Sequence, residues 1–470
     1  MTEKKYDIII IGSGPGGHTA ALHAAGLGMK ALMIEKSETG GTCLNRGCIP
    51  TKALIASAVV LRTIATAKNF GIGVNAYDYD FLKISQRKDG IVKQLSSGLQ
   101  SLLKSWGVES IKGIAAFIDN KKIEIISDDG IIHAVADKII IATGSIPANV
   151  RGIETDGRKI LNSDHVLQLK ELPAEILIIG GGVIGVEFAS IFNTFGVKVT
   201  MVEMLPEILP AGDAEVARNL RQILEKEGIT VKTGTMVDSV SEASGKMKTV
   251  IKSGEKKEEI ITETVLVATG RFPFTGGLGL EKAGITTVKG YIKTNENMET
   301  NSQGIYAIGD VTGNMMLAHV AAEEGIVASE NAAGNKTAID YSIIPSCVYS
   351  IPQVASVGLT ETKAKEAGIN YKIGKFPFVA SSKAHLLDRK AGFVKIIAEM
   401  KTGRLLGVHI IGEEATELIA EGAMALKMGA TEKSFTRIIH AHPTLYETML
   451  EAVDDLDKKS IMMMRKKSEI

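Results

Sequence analysis

The sequence contains one glycine-rich pattern twice, and this duplication constrains the fold more than any other feature. Each copy is a short apolar run, a glycine turn, a helix-like stretch, a second apolar run and then a glutamate. The glycines and glutamates of the two copies are Gly12, Gly14, Gly17 and Glu35, and Gly180, Gly182, Gly185 and Glu203. In both copies the glutamate follows the first glycine by 23 residues (35 − 12 and 203 − 180). The pattern predicts a strand–turn–helix–strand unit that binds a dinucleotide.

The chemistry of this turn requires glycine. Glycine lets the backbone turn tightly and lets a pyrophosphate approach the helix N-terminus, where unpaired N–H groups and the helix dipole favour an anion. The glutamate that ends the second strand is placed to accept hydrogen bonds from ribose hydroxyls. A single copy is weak evidence, because ordinary turns also contain glycine. Two copies with equal spacing predict that two nucleotides bind.

The elements of each unit follow from the apolar runs between the glycines. We expect strands at residues 6–11, 30–34, 176–179 and 197–202, and helices at 18–27 and 186–195. Two later runs, 139–141 and 265–267, each end in Ala-Thr-Gly and add a strand near the end of each unit. The chain therefore contains a duplicated module.

The remaining segments predict a long helix between the copies and, near the C-terminus, strands and helices without a third glycine-rich pattern. We expect a helix at 81–106, hairpin strands within 112–132, a strand within 300–310 that ends in Gly-Asp, and a helix at 317–334. Beyond Tyr341 the expected strands are around 347–357, 393–399 and 404–411, with helices at 360–367, 415–428 and 431–438. The predicted fold class is α/β, with two Rossmann-like nucleotide-binding domains and a C-terminal α+β domain that serves as an interface.

Length and composition limit the functional classes. At 470 residues the chain is too long for one core, and about three domains are expected. The net charge is zero, which disfavours nucleic acid or an anionic membrane as a partner. Because no signal-like N-terminus or run of about 18 apolar residues is seen, we expect a cytoplasmic protein. The charged tail 454–470, with Met462–Met464, is expected to be a frayed, solvated helix end, with contact to a membrane or a partner as the alternative.

Two of the three cysteines, Cys43 and Cys48, lie close together at the start of a predicted helix. Their Cys-x4-Cys spacing differs from a zinc knuckle and no second pair completes four ligands, so no metal site is expected. They could be small buried hydrophobic residues. However, Gly40, Gly41 and Gly47 surround them, and a helix N-terminus stabilises a thiolate, so a redox pair is favoured. We interpret Cys347 as a core residue.

A second reactive constellation lies near the C-terminus. His442 precedes a proline, and Glu447 follows five residues later, where it could hold the imidazole in one tautomer. An imidazole is suited to accept a proton from a thiol near neutral pH. This arrangement predicts an acid/base histidine with an orienting carboxylate.

These motifs resemble those of the flavin-dependent pyridine nucleotide-disulfide oxidoreductases over nearly the whole chain. The matching stretches are 41–54 around the cysteines, 182–190, Gly309-Asp310, Met316 to His319, and 440–447. Within the family, the motifs are most similar to those of members that oxidise dihydrolipoamide in 2-oxo acid dehydrogenase complexes and the glycine cleavage system.

The resemblance implies FAD and NAD as cofactors and four segments along the chain. These are a first FAD-binding part (1–148), an NAD-binding domain (149–271), a central FAD segment (272–342) and a dimerisation domain (343–470). The implied FAD-site residues are Gly12, Gly14, Gly17, Glu35, Lys36, Gly41, Thr42, Lys52, Gly113, Thr143, Gly144, Ser145, Asp310, Met316, Leu317, Ala318 and His319. The implied NAD-site residues are Gly180, Gly182, Gly185, Glu187, Glu203 and Gly270.

The resemblance also implies catalytic roles. Cys43 would meet the substrate, Cys48 would face the flavin, and Lys52 would pair with Glu187 beside the flavin ring. His442, oriented by Glu447, would act on the cysteines of the other subunit, so the working unit would be a homodimer. The expected partners are lipoyl-bearing proteins. Arg46 and Thr51 depart from the valine and serine of many relatives, and Arg46 could tune the thiols, bind an acidic partner or be a solvated variant.

The nucleotide and substrate preferences have alternatives. Glu203 would accept from a ribose 2′-hydroxyl and repel a 2′-phosphate, and no arginine closely follows it, so NAD is favoured over NADP. A related reductase of another small disulfide is the alternative enzyme. A redox sensor without turnover would need neither His442 nor Glu447.

Overall fold

The fold is built on two parallel sheets of five strands with matching topology. In the computed structural model, which describes residues 3–463, every strand of both sheets runs parallel to its neighbours. The first sheet has the spatial order Ile305–Ala307, Lys138–Ile141, Ile8–Ile11, Ala31–Glu35 and Glu109–Lys112. The second has the order Ile160–Leu161, Thr264–Val267, Glu175–Ile179, Lys198–Val202 and Thr230–Lys232. The prediction of a duplicated module is confirmed.

The two fingerprint strands occupy the same central position in their sheets. Each is flanked by the strand that ends in Ala-Thr-Gly and by the strand that ends in the glutamate. Strands of parallel sheets are covered on both faces, which is why they are continuous apolar runs: Ile8, Ile9 and Ile10 are fully buried. The carboxyl ends of these strands, and hence the glycine turns, meet at one edge of each sheet.

A second sheet accompanies each parallel sheet. In the first unit it joins Glu3–Lys5, Gly130–Val135, Lys122–Ser127 and Ile114–Phe117, in that spatial order. Its first pair of strands is parallel and the other two pairs are antiparallel, and the predicted turn at Asp128-Asp129-Gly130 connects two of the antiparallel strands. In the second unit it is the meander Met236–Ala243, Lys246–Ser253 and Lys256–Thr262, which the sequence analysis missed. Two small two-stranded sheets pair Ser145–Pro147 with Arg271–Pro273, and Thr287–Val288 with Tyr291–Ile292.

The C-terminal region forms a separate antiparallel sheet with its own core. Its spatial order is Ser346–Val348, Gln353–Gly358, Leu405–Gly412, Phe393–Glu399 and Tyr371–Pro377. The core beneath it contains Phe376, Phe378, Phe435 and Met449. The predicted α+β fold class is confirmed; the segment boundaries at 148, 271 and 342 stay predictions.

The helices cover the sheet faces and carry Cys43, Cys48, Lys52 and Glu187. They are Pro15–Gly26, Gly41–Arg46, Cys48–Thr66, Phe81–Ser105, Ser163–Val166, Val183–Thr194, Ala214–Lys226, Ala318–Ala332, Glu361–Glu366, Ser382–Leu386, Ala415–Lys427, Glu432–Phe435 and Glu447–Asp454. Short 3₁₀ turns span Ala67–Phe70, Leu280–Ala283, Gly309–Thr312, Phe378–Ala380 and Asp455–Asp457.

Two local expectations were wrong. The sequence predicts both cysteines at the start of one helix. In the structure the helix is interrupted at Gly47, so Cys43 lies in the helix Gly41–Arg46 and Cys48 begins the helix Cys48–Thr66. The tail was expected to fray from residue 454, yet the turn Asp455–Asp457 is anchored by the buried side chain of Leu456 and by the Lys375 N–H, which donates to Asp455 at 3.0 Å. Residues 464–470 of that tail lie outside the described part of the chain.

The helical segment 41–70 is long and apolar enough to cross a membrane, with a mean hydropathy of 1.5, although the sequence analysis expected no such run. This is weak evidence for a span, because core helices meet the same criterion. The break at Gly47 interrupts the segment, and Lys52 within it is ion-paired with Glu187.

Candidate active site

A single cavity of about 1420 Å³ joins the glycine turns of both nucleotide-binding units. All of the predicted cofactor-binding residues line it except Gly17 and Gly185. A Cβ atom added at Gly14 or Gly182 would meet nothing within 4 Å, so the second glycine of each turn borders open space. A Cβ at Gly17 or Gly185 would lie 2.0 Å from the carbonyl oxygen of Gly12 or Gly180. The third glycine of each turn therefore permits close helix packing and lies outside the cavity.

Both glutamates occupy equivalent positions at the cavity wall. Glu35 accepts hydrogen bonds from the Ser13 N–H at 2.9 Å and the Ser37 N–H at 2.8 Å. Glu203 accepts from the Gly181 N–H at 2.6 Å and the Leu205 N–H at 2.7 Å. Each carboxylate thus ties its strand end to the glycine turn, and it retains lone pairs for a further donor.

The two units are joined beside the cavity by residues that follow the Ala-Thr-Gly strands. The strand at Ser145 pairs with the strand at Arg271, and the Arg271 Nε–H donates to Ser145 Oγ at 2.7 Å. The Ser145 hydroxyl in turn donates to Asp310. Sequence reasoning missed Arg271, because a connection between the two repeats is visible only in three dimensions.

The remaining predicted FAD-site side chains are also held by neighbours. Lys36 Nζ lies 3.2 Å from the centroid of the Phe274 ring, and burial lowers the pKa of this lysine. Met316, Leu317 and Ala318 line the cavity at the start of the helix Ala318–Ala332. The His319 ring contacts the Pro345 carbonyl oxygen at 2.9 Å.

Both cysteines face this cavity as free thiols, and they interact with each other across the break at Gly47. A Cβ at Gly47 would lie 3.0 Å from the Thr42 carbonyl oxygen, so glycine relieves a tight approach where the chain returns. The Thr51 hydroxyl donates to the Gly47 carbonyl oxygen at 2.7 Å. Thr51, where many relatives have serine, therefore keeps a hydroxyl that stabilises the interruption of the helix at Gly47.

The two thiols differ in acidity. A hydrogen bond from Cys43 lowers the pKa of Cys48 to about 7 against the effect of burial, and the Lys52 charge adds to this lowering. The same hydrogen bond, together with burial, raises the pKa of Cys43. These directions favour Cys48 as the thiol of the reduced pair that ionises first as the pH rises, while Cys43 keeps its proton.

This difference predicts the pH dependence of alkylation. Because only the thiolate attacks, raising the pH from 6 to 8 across a pKa of about 7 should increase the rate of Cys48 alkylation by iodoacetamide about tenfold. Burial raises the pKa of Cys347 to about 11, so this thiol is the internal control and should stay slow. Peptide mass spectrometry of the reduced protein locates the label. A Cys48 rate that is flat across this range would contradict the assignment.

A buried ion pair lies beside the cysteines. Lys52 Nζ donates to the two carboxylate oxygens of Glu187 at 2.8 and 2.9 Å. Glu187 also accepts the Tyr349 N–H at 2.9 Å, and Lys52 Nζ lies 4.6 Å from the centroid of the Tyr349 ring. The pair thus joins the cysteine helix, the second nucleotide-binding unit and the C-terminal sheet.

Two residues have surroundings that the sequence did not reveal. Cys347 was interpreted as a core residue, but it is only partly buried and lines the cavity with Tyr349. Arg46 forms an ion pair with Glu38 and donates to Ser37 Oγ at 3.0 Å. The Arg46 charge is thus paired with the Glu38 carboxylate.

The histidine site lies apart from the cysteines within one chain. His442 Nδ1 contacts Glu447 Oε1 at 2.8 Å, and the Thr444 N–H donates to the other oxygen of Glu447 at 2.8 Å. Burial raises the pKa of Glu447, but these two partners outweigh it, so the pKa is lowered and the carboxylate stays charged. The His442 side chain is 68% exposed and does not line the cavity. The structure therefore pairs His442 with Glu447 but does not bring them to the thiols of the same subunit.

Large apolar side chains are exposed in the same C-terminal domain. Ile439 is 97% exposed, Met428 80% and Met424 61%. Exposed apolar side chains that form one patch are typical of a protein–protein interface. Nearby, His440 is held by the Glu421 carboxylate at 2.8 Å. Within residues 3–463, no cluster of three or more His, Cys, Asp or Glu side chains is arranged to hold a metal ion.

The cavity fits two dinucleotides. The open space at Gly14 and Gly182 lies at the N-termini of the helices Pro15–Gly26 and Val183–Thr194, where a pyrophosphate is stabilised. Each turn faces a glutamate with free lone pairs, and the redox thiols and Lys52 lie in the same cavity. The donor set thus suits two nucleotides whose reactive ends meet near the thiols.

Comparison with known proteins identifies one family. Residues 6–325 match the model of the pyridine nucleotide-disulphide oxidoreductase family, and residues 344–453 match that of its dimerisation domain. The chain is 44% identical to a dihydrolipoyl dehydrogenase of Thermus scotoductus over 98% of this chain and 100% of the relative. It is 42% identical to a dihydrolipoyl dehydrogenase of Bacillus subtilis, covering 97% and 99% of the two chains. The crystal structure of LpdA from Mycobacterium tuberculosis superposes with a TM-score of 0.90 at 28% identity, covering 96% and 99% of the two chains.

Proposed function

The chain belongs to the pyridine nucleotide-disulphide oxidoreductase family, and from this premise we propose that it oxidises protein-bound dihydrolipoamide with NAD as the electron acceptor. The observation that carries the proposal is the position of the Cys43 and Cys48 thiols in the cavity that also holds both nucleotide-binding turns. Electrons can therefore pass from a dithiol to a nucleotide within one cavity.

The cofactors of the family are FAD and NAD. The first glycine turn, with Glu35 and Asp310, would hold FAD, and the second, with Glu203, would hold NAD. FAD, when bound, would supply two-electron chemistry between the cysteine pair and NAD. The Lys52 ammonium, which Glu187 holds in place, would stabilise negative charge that develops beside the thiols.

The exchange between substrate and protein conserves atoms and electrons, because two substrate thiols are oxidised while one cysteine disulfide is reduced. One sulfur of dihydrolipoamide bonds to Cys43 Sγ, the Cys43–Cys48 disulfide breaks, and Cys48 leaves as the thiolate. The second substrate sulfur then attacks the first and its proton passes to the departing Cys43 sulfur, which releases lipoamide and leaves Cys43 as a thiol. His442 takes the proton of the attacking thiol, and Glu447 holds its imidazole through Nδ1.

The base must come from a second copy of the chain. His442 is exposed, lies outside the cavity of its own subunit and belongs to the matched dimerisation domain, which also exposes the apolar side chain of Ile439 three residues before it. A homodimer that covers this surface would bring His442 of the partner subunit to Cys43. We infer that each active site is shared by two subunits.

The partners follow from the substrate. They would be lipoyl-bearing proteins of 2-oxo acid dehydrogenase complexes or of the glycine cleavage system, and a cytoplasmic location stays a prediction.

One assay tests the substrate: the purified flavoprotein is supplied with dihydrolipoamide and NAD, or with glutathione disulfide and NADPH. We expect turnover with the first pair. Turnover with the second pair alone would identify a reductase of another small disulfide.

The nucleotide preference yields a further prediction. Glu203→Ala should raise the KM for NAD tenfold or more, because a carboxylate that binds the ribose and holds the Gly181 N–H is lost. Reduction of the flavin by dihydrolipoamide, measured by stopped flow without NAD, should be unchanged. Glu207→Ala is the matched control, since Glu207 pairs with Arg221 and lies outside the cavity lining. An unchanged KM for NAD in Glu203→Ala would contradict the placement of NAD.

A further inference from the structure

The Lys52–Glu187 pair has a third neighbour that no sequence motif identified. Tyr349 lies in the C-terminal domain between the strands Ser346–Val348 and Gln353–Gly358, yet it lines the cavity with the two cysteines. Its ring is half-buried and packs against the core of the second nucleotide-binding unit. The side chain therefore crosses from one domain to the reactive centre of another.

Two contacts connect Tyr349 to the ion pair, and they use different parts of the residue. The backbone N–H donates to Glu187 Oε1 at 2.9 Å, and the ring face lies 4.6 Å from Lys52 Nζ. A lysine ammonium over an aromatic ring is attracted by the negative face of the ring, more strongly where water is partly excluded. The Lys52 side chain is 30% exposed and Glu187 is buried, so this contact is partly shielded.

Lys52 needs such a support because lysine is flexible. Its ammonium ends a four-carbon chain and makes no fixed fork with a carboxylate, unlike arginine. Glu187 alone would leave the ammonium free to move around the carboxylate. The ring of Tyr349 bounds it on a second side, and the same ammonium is among the charges that act on the Cys48 thiol.

We propose that Tyr349 is a positioning residue whose ring holds the Lys52 ammonium beside Cys48 and thereby favours the Cys48 thiolate. The proposal rests on the proposed function, because it assumes that Cys48 faces the flavin. It links the dimerisation domain to the redox pair through a side chain that touches neither thiol in the described hydrogen-bond network. Loss of the ring would free Lys52, and the Cys48 thiol would then hold its proton to a higher pH.

The test is a pH titration of the holoenzyme in a Cys43→Ser background. A Cys48 thiolate against oxidised flavin gives a long-wavelength charge-transfer absorbance, and the midpoint of its appearance with pH reports the Cys48 pKa. Tyr349→Leu should move this midpoint upward by about 0.5 to 1 pH unit, the size of a partly shielded cation–ring contact. Tyr349→Phe keeps the ring and loses only the hydroxyl, so its midpoint should match that of the parent.

Matched variants separate the possible outcomes. Tyr77→Leu makes the same substitution at an exposed tyrosine outside the cavity and should leave the midpoint unchanged. If Tyr349→Leu does not retain flavin, Tyr349→Met carries the same prediction with an unbranched side chain. An unshifted midpoint in Tyr349→Leu or Tyr349→Met, or an equal shift in Tyr349→Phe, would overturn the proposal. Absence of the absorbance at every pH in the parent would instead refute the placement of Cys48 in the proposed function.

Discussion

Replacing Cys43 with serine is expected to reduce the turnover of dihydrolipoamide with NAD by at least about 10⁴-fold, as removal of a reacting nucleophile does in other enzymes. Serine fits the same space and keeps a hydroxyl donor near Cys48, but it cannot form the disulfide that takes two electrons from the substrate. The helix Gly41–Arg46 has no buried residue, so the substitution should cost little stability. Initial rates at saturating substrate give the measurement.

Two further measurements make the Cys43 result specific. Cys347→Ser changes the third thiol of the same cavity and should retain most of the turnover, because Cys347 is outside the proposed electron path. The flavin of Cys43→Ser should remain bound and should still be reduced by NADH, since that step bypasses the substrate side. Substantial turnover of dihydrolipoamide by Cys43→Ser would show that the thiol pair is not the route of electrons.

Replacing His442 with glutamine is the second substitution with a large expected effect. The loss of a general base lowers a rate by about 10²- to 10⁴-fold, and we expect this loss in the reduction of the flavin by dihydrolipoamide. Glutamine keeps a polar group that can reach Glu447, and the exposed position of His442 means that folding should be unaffected. Stopped-flow measurement of flavin reduction isolates the step from NAD binding.

The loss of rate in His442→Gln should appear only when dihydrolipoamide supplies the electrons, and the same substitution at a histidine far from the site should not cause it. Reduction of the flavin by NADH should stay near the parent rate, because no substrate thiol is deprotonated in that half-reaction. His133→Gln is the matched control, since His133 lies on a surface strand near Glu124 and outside the cavity. A His442→Gln variant that is reduced by dihydrolipoamide at the parent rate would remove the base from the mechanism.

The parts of the site that the sequence predicted are those specified by local patterns. A parallel strand, a glycine turn and a helix are adjacent in the chain, so the turns at Gly12 and Gly180 could be placed together with their strands and glutamates. Spacing alone did not distinguish a ligand contact from a packing contact. Gly17 and Gly185 were therefore assigned to the cofactors, although each allows a helix to approach a carbonyl oxygen.

The parts that the sequence missed depend on distant contacts. Tyr349 and Cys347 reach the cavity because the C-terminal sheet packs against the helix that carries Glu187, and no periodicity encodes that docking. The break at Gly47 was hidden by the helix-forming residues on both sides. Arg271 connects the two repeats through Ser145, a contact between segments 126 residues apart in the chain.

We expect each active site to combine the thiol pair of one subunit with His442 of the partner subunit. The most direct test is a heterodimer, isolated with two different affinity tags, of one Cys43→Ser chain and one His442→Gln chain. If the site is shared, one of its two sites has both substitutions and the other has neither, so the heterodimer should show about half the parent activity. If His442 acted within its own chain, each site would carry one substitution and the heterodimer would be as inactive as the two homodimers. That result would show that the active site is not shared between subunits.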